Sequence, residues 1–323
     1  MAKTTKTDSF RRISEEFAKD VLKNPIFQAF YINHPNDVIV GIRDNYINLY
    51  HCCNSIAKIS PSRRNIVAKV HDYYLGIDNS SHYSPIREDE NLDELYETIT
   101  KRSLDRGKEE KQAQEKLFID NNKNQKSNWF CIDVEYTKSF ASKEGAEDWR
   151  FDIIAVSKSL PHRVALIELK YGAGAIGGKS GVQKHIQDYY QFHKNDSYTI
   201  LLPELISIID GLKLLGGPIP TELKGRLSPA DFASTPEYYF ITLNNNPEGN
   251  GNKTPQMTMS GYLFTDHKWG CKRVSSTAKT NGFYAQVNGD TSFKPVIKFS
   301  KAVLPDIGID DIIDSPFYEN AEY

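Results

Sequence analysis

Apolar residues recur along the chain at two spacings. Phe10, Ile13, Phe17 and Val21 lie three or four apart, which predicts an amphipathic helix. Asn33–Pro35 breaks that pattern. Val38–Ile42 and Tyr46–Cys52 then read as strands around a turn at Asp44-Asn45, and Ile56–Ile59 and Ile66–Tyr74 continue a small antiparallel sheet. Ser80–Asp89 is polar, contains Pro85 and marks a boundary. Asn91 with Glu94 three residues later predicts a capped helix, with Leu92, Leu95, Tyr96 and Ile99 on one face. The helical pattern weakens at Gly107 and resumes through Ala113, Leu117 and Phe118. Trp129–Thr137, Phe151–Val156, Val164–Ile167 and Tyr238–Leu243 are predicted strands, and Val182–Lys194 and Leu201–Leu215 predicted helices. Further on, Tyr262–Thr265, Gly282–Val287 and Val296–Phe299 read as short strands of a satellite sheet shared with the N-terminal part.

This order gives an α/β chain in three parts. Residues 1–90 hold a helix and a small β-rich region, 91–245 the α/β core, and 246–323 a β-rich extension with an acidic tail. The N-terminal part carries no chemical motif. It could serve recognition or dimerisation, leaving a homodimer open, or wrap the core. His51 and His71 read as packed or surface histidines.

Charge changes the picture between Trp149 and Gly181. Phe151–Val156 and Val164–Ile167 flank the polar turn Ser157–Arg163 and lack alternation, as strands buried on both faces do. Yet Asp152 opens the first strand, and Glu168 and Lys170 close the second. A hairpin closing symmetrically about Leu160 sets Asp152 opposite Glu168, with Cβ atoms roughly 5 Å apart. Lys170, two residues on, shares the face of Glu168. Two close carboxylates repel unless a cation intervenes. A hard divalent ion such as Mg²⁺ takes their oxygens and keeps waters for a phosphate. The alternative is that these charges are merely solvated strand ends.

Asp152, fifteen intervening residues, then Glu168-Leu169-Lys170 resembles the PD-(D/E)xK nuclease superfamily, with Phe151 where its Pro would stand. The resemblance covers about 110 residues. It implies a restriction-endonuclease-like core, a mixed central sheet flanked by helices, with β-rich additions at both ends. It implies Mg²⁺- or Mn²⁺-dependent cleavage of phosphodiester bonds, most readily in DNA. Asp152 and Glu168 are the metal ligands it implies, and Lys170 the group that positions water. The same family places a polar residue after the ExK strand, for which Gln183 and His185 are candidates, and an extra Glu on the preceding helix, for which Glu115 is weighed against a solvated glutamate. Acidic residues are disfavoured inside strands, so Asp133 and Glu135 also need a reason, and Glu135 is the preferred fourth site residue.

Two other readings compete. One is a nucleic-acid binder of the same fold without activity. The other is a P-loop nucleotidase, since Ala173-x4-Gly178-Lys179-Ser180 loosely matches a phosphate-binding loop between strand and helix. Against the latter, the preceding strand ends in Glu-Leu-Lys, and Asp152 is left unexplained.

Composition narrows the setting. No apolar run reaches the ~20 residues of a membrane span. Cys52, Cys53, Cys131 and Cys271 show no zinc-type spacing, so reduced thiols in the cytoplasm are expected. The last eighteen residues carry six carboxylates and no Lys or Arg, so a chain of net charge −2 is +4 without them. Basic residues cluster in Lys101–Lys126 and recur at Lys158, Arg163, Lys170, Lys179 and Lys184, where they could track a phosphate backbone. The acidic tail could mask that basic face.

Overall fold

The computed structural model describes residues 10–63, 65–77, 82–86, 90–139, 148–172, 181–244, 271–273, 282–300 and 308–314. It is a mixed α/β structure with two sheets. In chain order the elements are α1 (Glu15–Lys23), β1 (Ile39–Ile42), β2 (Ile47–His51), β3 (Asn54–Pro61), β4 (Ile66–His71), β5 (Tyr83–Pro85), α2 (Leu92–Arg106) and α3 (Glu109–Lys123). Then come β6 (Trp129–Lys138), β7 (Trp149–Ser157), β8 (Val164–Tyr171), α4 (Val182–Lys194), α5 (Tyr198–Leu214) and β9 (Glu237–Leu243). Short strands β10 (Cys271–Arg273), β11 (Gly282–Val287) and β12 (Val296–Phe299) precede the last helix, α6 (Ile309–Ile313). Among the described residues, no helix is long and apolar enough to cross a membrane.

The chain forms two compact units that are not contiguous stretches of sequence. The first comprises 1–115, 132–134 and 202–229, the second 116–131, 135–201 and 230–323.

In the first unit, β1 to β5 form an antiparallel sheet in sequence order. Asn45, at φ 57°, makes the expected first turn. Tyr83–Pro85, read from sequence as a boundary, instead pairs with β4, Val70 opposite Ser84. Helix α1 begins later than the periodicity suggests, because the Ser14 hydroxyl accepts from the Phe17 amide and caps it. Asn91 caps α2 in the same way, through the amides of Asp93 and Glu94.

The interior of this unit holds a charge cluster. Asp133 is fully buried and accepts from Arg11 Nη1 at 3.1 Å and from Arg43 Nη1 at 2.8 Å. Arg11 Nε also lies 3.3 Å from Glu204, and Arg43 Nη2 donates to the Tyr50 hydroxyl at 2.7 Å. Two guanidinium groups thus face two carboxylates. Gly41 is required here, since a Cβ would stand 2.7 Å from Arg43 Nη2.

In the second unit the sheet order is β10-β11-β12-β9-β8-β7-β6. Strands β7 and β8 form the expected antiparallel hairpin, and β9 returns parallel to β8 after two helices. The C-terminal strands do not make a satellite sheet with the N-terminal part. β12 pairs in parallel with β9, Ile297 beside Phe240, and so covers an edge that would otherwise present unpaired backbone groups. Tyr262–Thr265 lies outside the described residues. Part of the acidic tail is structured: Ile309, Ile312 and Ile313 are buried, Asp310 accepts from Ser127 and Asp314 from the Trp129 indole N–H. The apolar side of α4 covers the hairpin. Tyr189 lies 5.1 Å from Phe151 and 5.0 Å from Phe240 between ring centres, and Phe192 lies 4.9 Å from Trp149.

Removing one partner from a buried ion cluster strands the remaining charges. Asp133→Ala should therefore cost about 3–5 kcal/mol in urea unfolding. A loss below about 1 kcal/mol, typical of exposed pairs, would contradict the pairing described.

Candidate active site

The β7–β8 ladder pairs Ile153 with Ile167, Ile154 with Leu166, Ala155 with Ala165 and Val156 with Val164, which is symmetric about Leu160. Asp152 and Glu168 are the next residues on each strand. The Asp152 side chain turns into the space beyond the ladder, where Oδ2 accepts from the Leu169 amide at 2.8 Å. An apolar sheet thus ends in a carboxylate that takes the place of a backbone acceptor.

Glu168 is 2% exposed and Lys170 6%. Lys170 Nζ donates to Glu168 Oε1 at 2.6 Å. His185, in the first turn of α4, reaches the same oxygen, with Nε2 3.1 Å away. One turn further on, Tyr189 is buried against Phe151 and Phe240 within reach of both carboxylates' charge. The charges of Glu168 and Asp152 join burial in pushing its phenol pKa upward. Its hydroxyl has no hydrogen-bond partner, and neither has the buried Thr242 hydroxyl, whose residue pairs with Lys170 across the β8–β9 ladder. Two orphaned hydroxyls thus flank one charged triple. Buried polar groups are seldom left so, and each is a place where a bound water or ligand belongs. Beside the triple, Arg150, His185, Asp188 and Tyr189 help line a small cleft. Gly172, at φ 67°, turns the chain out of the sheet two residues after Lys170, in the left-handed region that suits glycine.

Two of the residues singled out in the sequence, Glu168 and Lys170, meet here with His185, and Asp152 is held close by along the chain at the Leu169 amide. Glu135 stands on β6, with β7 between it and β8, at an uncommon φ of 51° for a residue with a Cβ. Gln183 lies in the first turn of α4, its side chain outside the described ones; Lys179 and Ser180 lie outside the described residues altogether. Asp133 is engaged by Arg11 and Arg43 in the first unit. Glu115 is not a solvated glutamate. It is buried in the first unit beside Cys52 and Cys53, and burial raises its pKa to about 8. Tyr189 and Thr242 were missed by sequence reasoning. By spacing, Val182, Ile186, Tyr189 and Tyr190 form the apolar stripe of the helix, and only the place of Tyr189 one turn after His185 could have marked it. Neither protein-family models, curated proteins nor solved structures match the chain.

Two measurements follow. Removing an orphaned hydroxyl removes a desolvation cost, so Tyr189→Phe should leave metal-free stability unchanged or raise it by about 1 kcal/mol; a comparable loss would show the phenol is bonded. Glu115 holds its proton more tightly folded than unfolded, so its contribution is complete below about pH 4.5 and is lost as pH rises to about 8. With a chelator present, wild-type stability should therefore fall relative to Glu115→Gln across that window. Parallel pH profiles would contradict the buried, protonated carboxyl.

Proposed function

We infer that this site is the centre of a metal-dependent nuclease of the PD-(D/E)xK kind, hydrolysing phosphodiester bonds in nucleic acid, with DNA the substrate class implied by the motif. The observation that carries the reading is the hairpin register. It sets Asp152 and Glu168 each one residue beyond the last ladder pair, Ile153 with Ile167, and Lys170 donates to a Glu168 oxygen. A buried ion pair is weak evidence for stability, and two hydroxyls without hydrogen-bond partners beside this one support a role in chemistry. The order α3, β6, β7, β8, α4, β9, with β9 parallel to β8, supports the restriction-endonuclease-like core.

The residues fit Mg²⁺ or Mn²⁺. Asp152 and Glu168 offer hard carboxylate oxygens, and the unpartnered hydroxyls of Tyr189 and Thr242 suit an ion's water shell or a phosphate oxygen. When bound, such an ion supplies Lewis-acid stabilisation and a more acidic water. The chain's own residues do the rest. The Leu169 amide fixes the Asp152 carboxylate. Lys170, held by Glu168, would position the attacking water or neutralise the phosphate were Glu168 to bind the ion. His185 steadies Glu168 from α4. Tyr189 excludes bulk water and offers a hydroxyl. Arg150, exposed on the cleft wall, meets a flanking phosphate.

Asp152→Ala and Lys170→Ala should each lower Mg²⁺- or Mn²⁺-dependent cleavage of DNA by at least about 100-fold, the low end for loss of a positioned proton-transfer group, with circular dichroism unchanged. Tyr189→Phe should slow cleavage without destabilising the fold. Wild-type rates in either Asp152→Ala or Lys170→Ala reject the assignment. Nucleic-acid binding with no cleavage by the unmutated chain would instead identify a binder.

A further inference from the structure

A second cluster lies in the first unit and has no part in the chemistry above. The β2–β3 hairpin closes on Cys52 and Cys53, both in the left-handed region at φ 49° and 48°. A two-residue turn of that hand normally takes Asn-Gly or Asp-Gly. Cysteines there cost backbone strain, and such strain persists where the surroundings hold it for a purpose. The turn is braced on every side. The Ser103 hydroxyl donates to the His51 carbonyl at 2.6 Å, Asn54 Nδ2 to the Cys52 carbonyl at 3.1 Å, and Lys111 Nζ to the Cys53 carbonyl at 3.1 Å. At Gly107 a Cβ would stand 2.9 Å from the Cys52 Cβ, so helix α2 ends tightly against the turn.

Three donors converge inside this frame. A nitrogen of His51, the Cys52 sulfur and a Glu115 carboxylate oxygen lie within 4.8 Å of one another. Among the described residues this is the one such group. Cys52 is 4% and Glu115 8% exposed, and the Glu115 carboxylate accepts from the Cys53 amide at 3.5 Å and lies in hydrogen-bond contact with the Cys52 thiol. The His51 Nδ1 atom is buried and has no hydrogen-bond partner. Cys52, Cys53 and Cys131 are free of disulfides.

We propose that His51, Cys52 and Glu115 form a zinc-type metal site that clips helix α3 to the β2–β3 turn. The donor set decides the class of ion. Thiolate and imidazole are ligands for zinc and its neighbours, whereas Mg²⁺ and Ca²⁺ take oxygen alone. The charge balance is complete. Zn²⁺, thiolate, carboxylate and neutral imidazole sum to zero, so a bound divalent ion would leave no net charge in the buried turn. The ligand atoms need close only to about 3.6 Å apart to fit tetrahedral bonds of 2.0–2.3 Å. Asp37, whose charge reaches both His51 and Glu115, adds to the attraction for a cation. Three protein ligands leave the fourth position to water. Sequence spacing could not show this site, because Glu115 lies 63 residues beyond Cys52.

The test uses the full chain, stripped with chelator and titrated with Zn²⁺ or Co²⁺ alone. One equivalent should bind through sulfur. Co²⁺ should give a thiolate charge-transfer band in the near ultraviolet. Cys52→Ser should abolish the band, and Glu115→Gln and His51→Ala should weaken binding at least tenfold. Cys53→Ser and Asp152→Asn should retain both band and stoichiometry, which separates this site from the one on β7 and β8. X-ray absorption of the zinc-loaded unmutated chain should show one sulfur with nitrogen and oxygen donors, whatever the variants' folding. No stoichiometric uptake, a shell without sulfur, or a band that survives Cys52→Ser overturns the proposal.

Discussion

A carboxylate moved into an apolar interior loses its hydration and must find a positive partner, a proton or a metal ion. That constraint is met in different ways at different buried acids of this chain, and the difference separates scaffold from chemistry. Asp133 is answered by two guanidinium groups, each itself buried and hydrogen-bonded. Nothing in that cluster is left over, and it reads as structure. Glu168 is answered by one ammonium and one imidazole on the same oxygen, in a place where two neighbouring hydroxyls have no partner. Glu115 is answered by a proton, beside a thiol and an orphaned imidazole nitrogen. Among the described residues, the second and third each stand beside side-chain atoms without a hydrogen-bond partner.

The central hairpin was legible because two simple patterns coincide. Ile- and Val-rich runs bounded by Pro and Gly leave little choice but buried strands, and a short polar turn fixes their pairing to one register. Once Ile153 meets Ile167, the positions of Asp152 and Glu168 follow. The same reasoning gave α4, β9 and the capped start at Asn91. What sequence could not supply is the detail beyond the ladder. Asp152 turns to cap the Leu169 amide, and Tyr189, apolar stripe by spacing, carries a polar tip to the carboxylates.

The rest was hidden for identifiable reasons. The Cys52-Cys53 turn uses residues that turn statistics disfavour, so a continuous strand was the natural reading of Tyr46–Cys52. Tyr83–Pro85 is too short and polar to announce itself, and only pairing with β4 makes it a strand. Glu115 carries no local sign of burial, because the turn that encloses it is distant in sequence. Strands β11 and β12 were found, but their partner was misplaced: parallel pairing of β12 with β9 joins segments more than fifty residues apart, which no local pattern encodes. Asp310 and Asp314 looked like tail charges and are instead hydrogen-bond acceptors around a small buried helix.

Metal-dependent chemistry at the hairpin end requires that Asp152 and Glu168 share an ion. A crystal structure of the chain soaked in Mn²⁺, with anomalous scattering recorded, answers this directly. A peak bonded to oxygens of both Asp152 and Glu168, with the Lys170 ammonium drawn off Glu168, is the predicted result. An unchanged Lys170–Glu168 pair at saturating Mn²⁺, with no peak between the carboxylates, would contradict it.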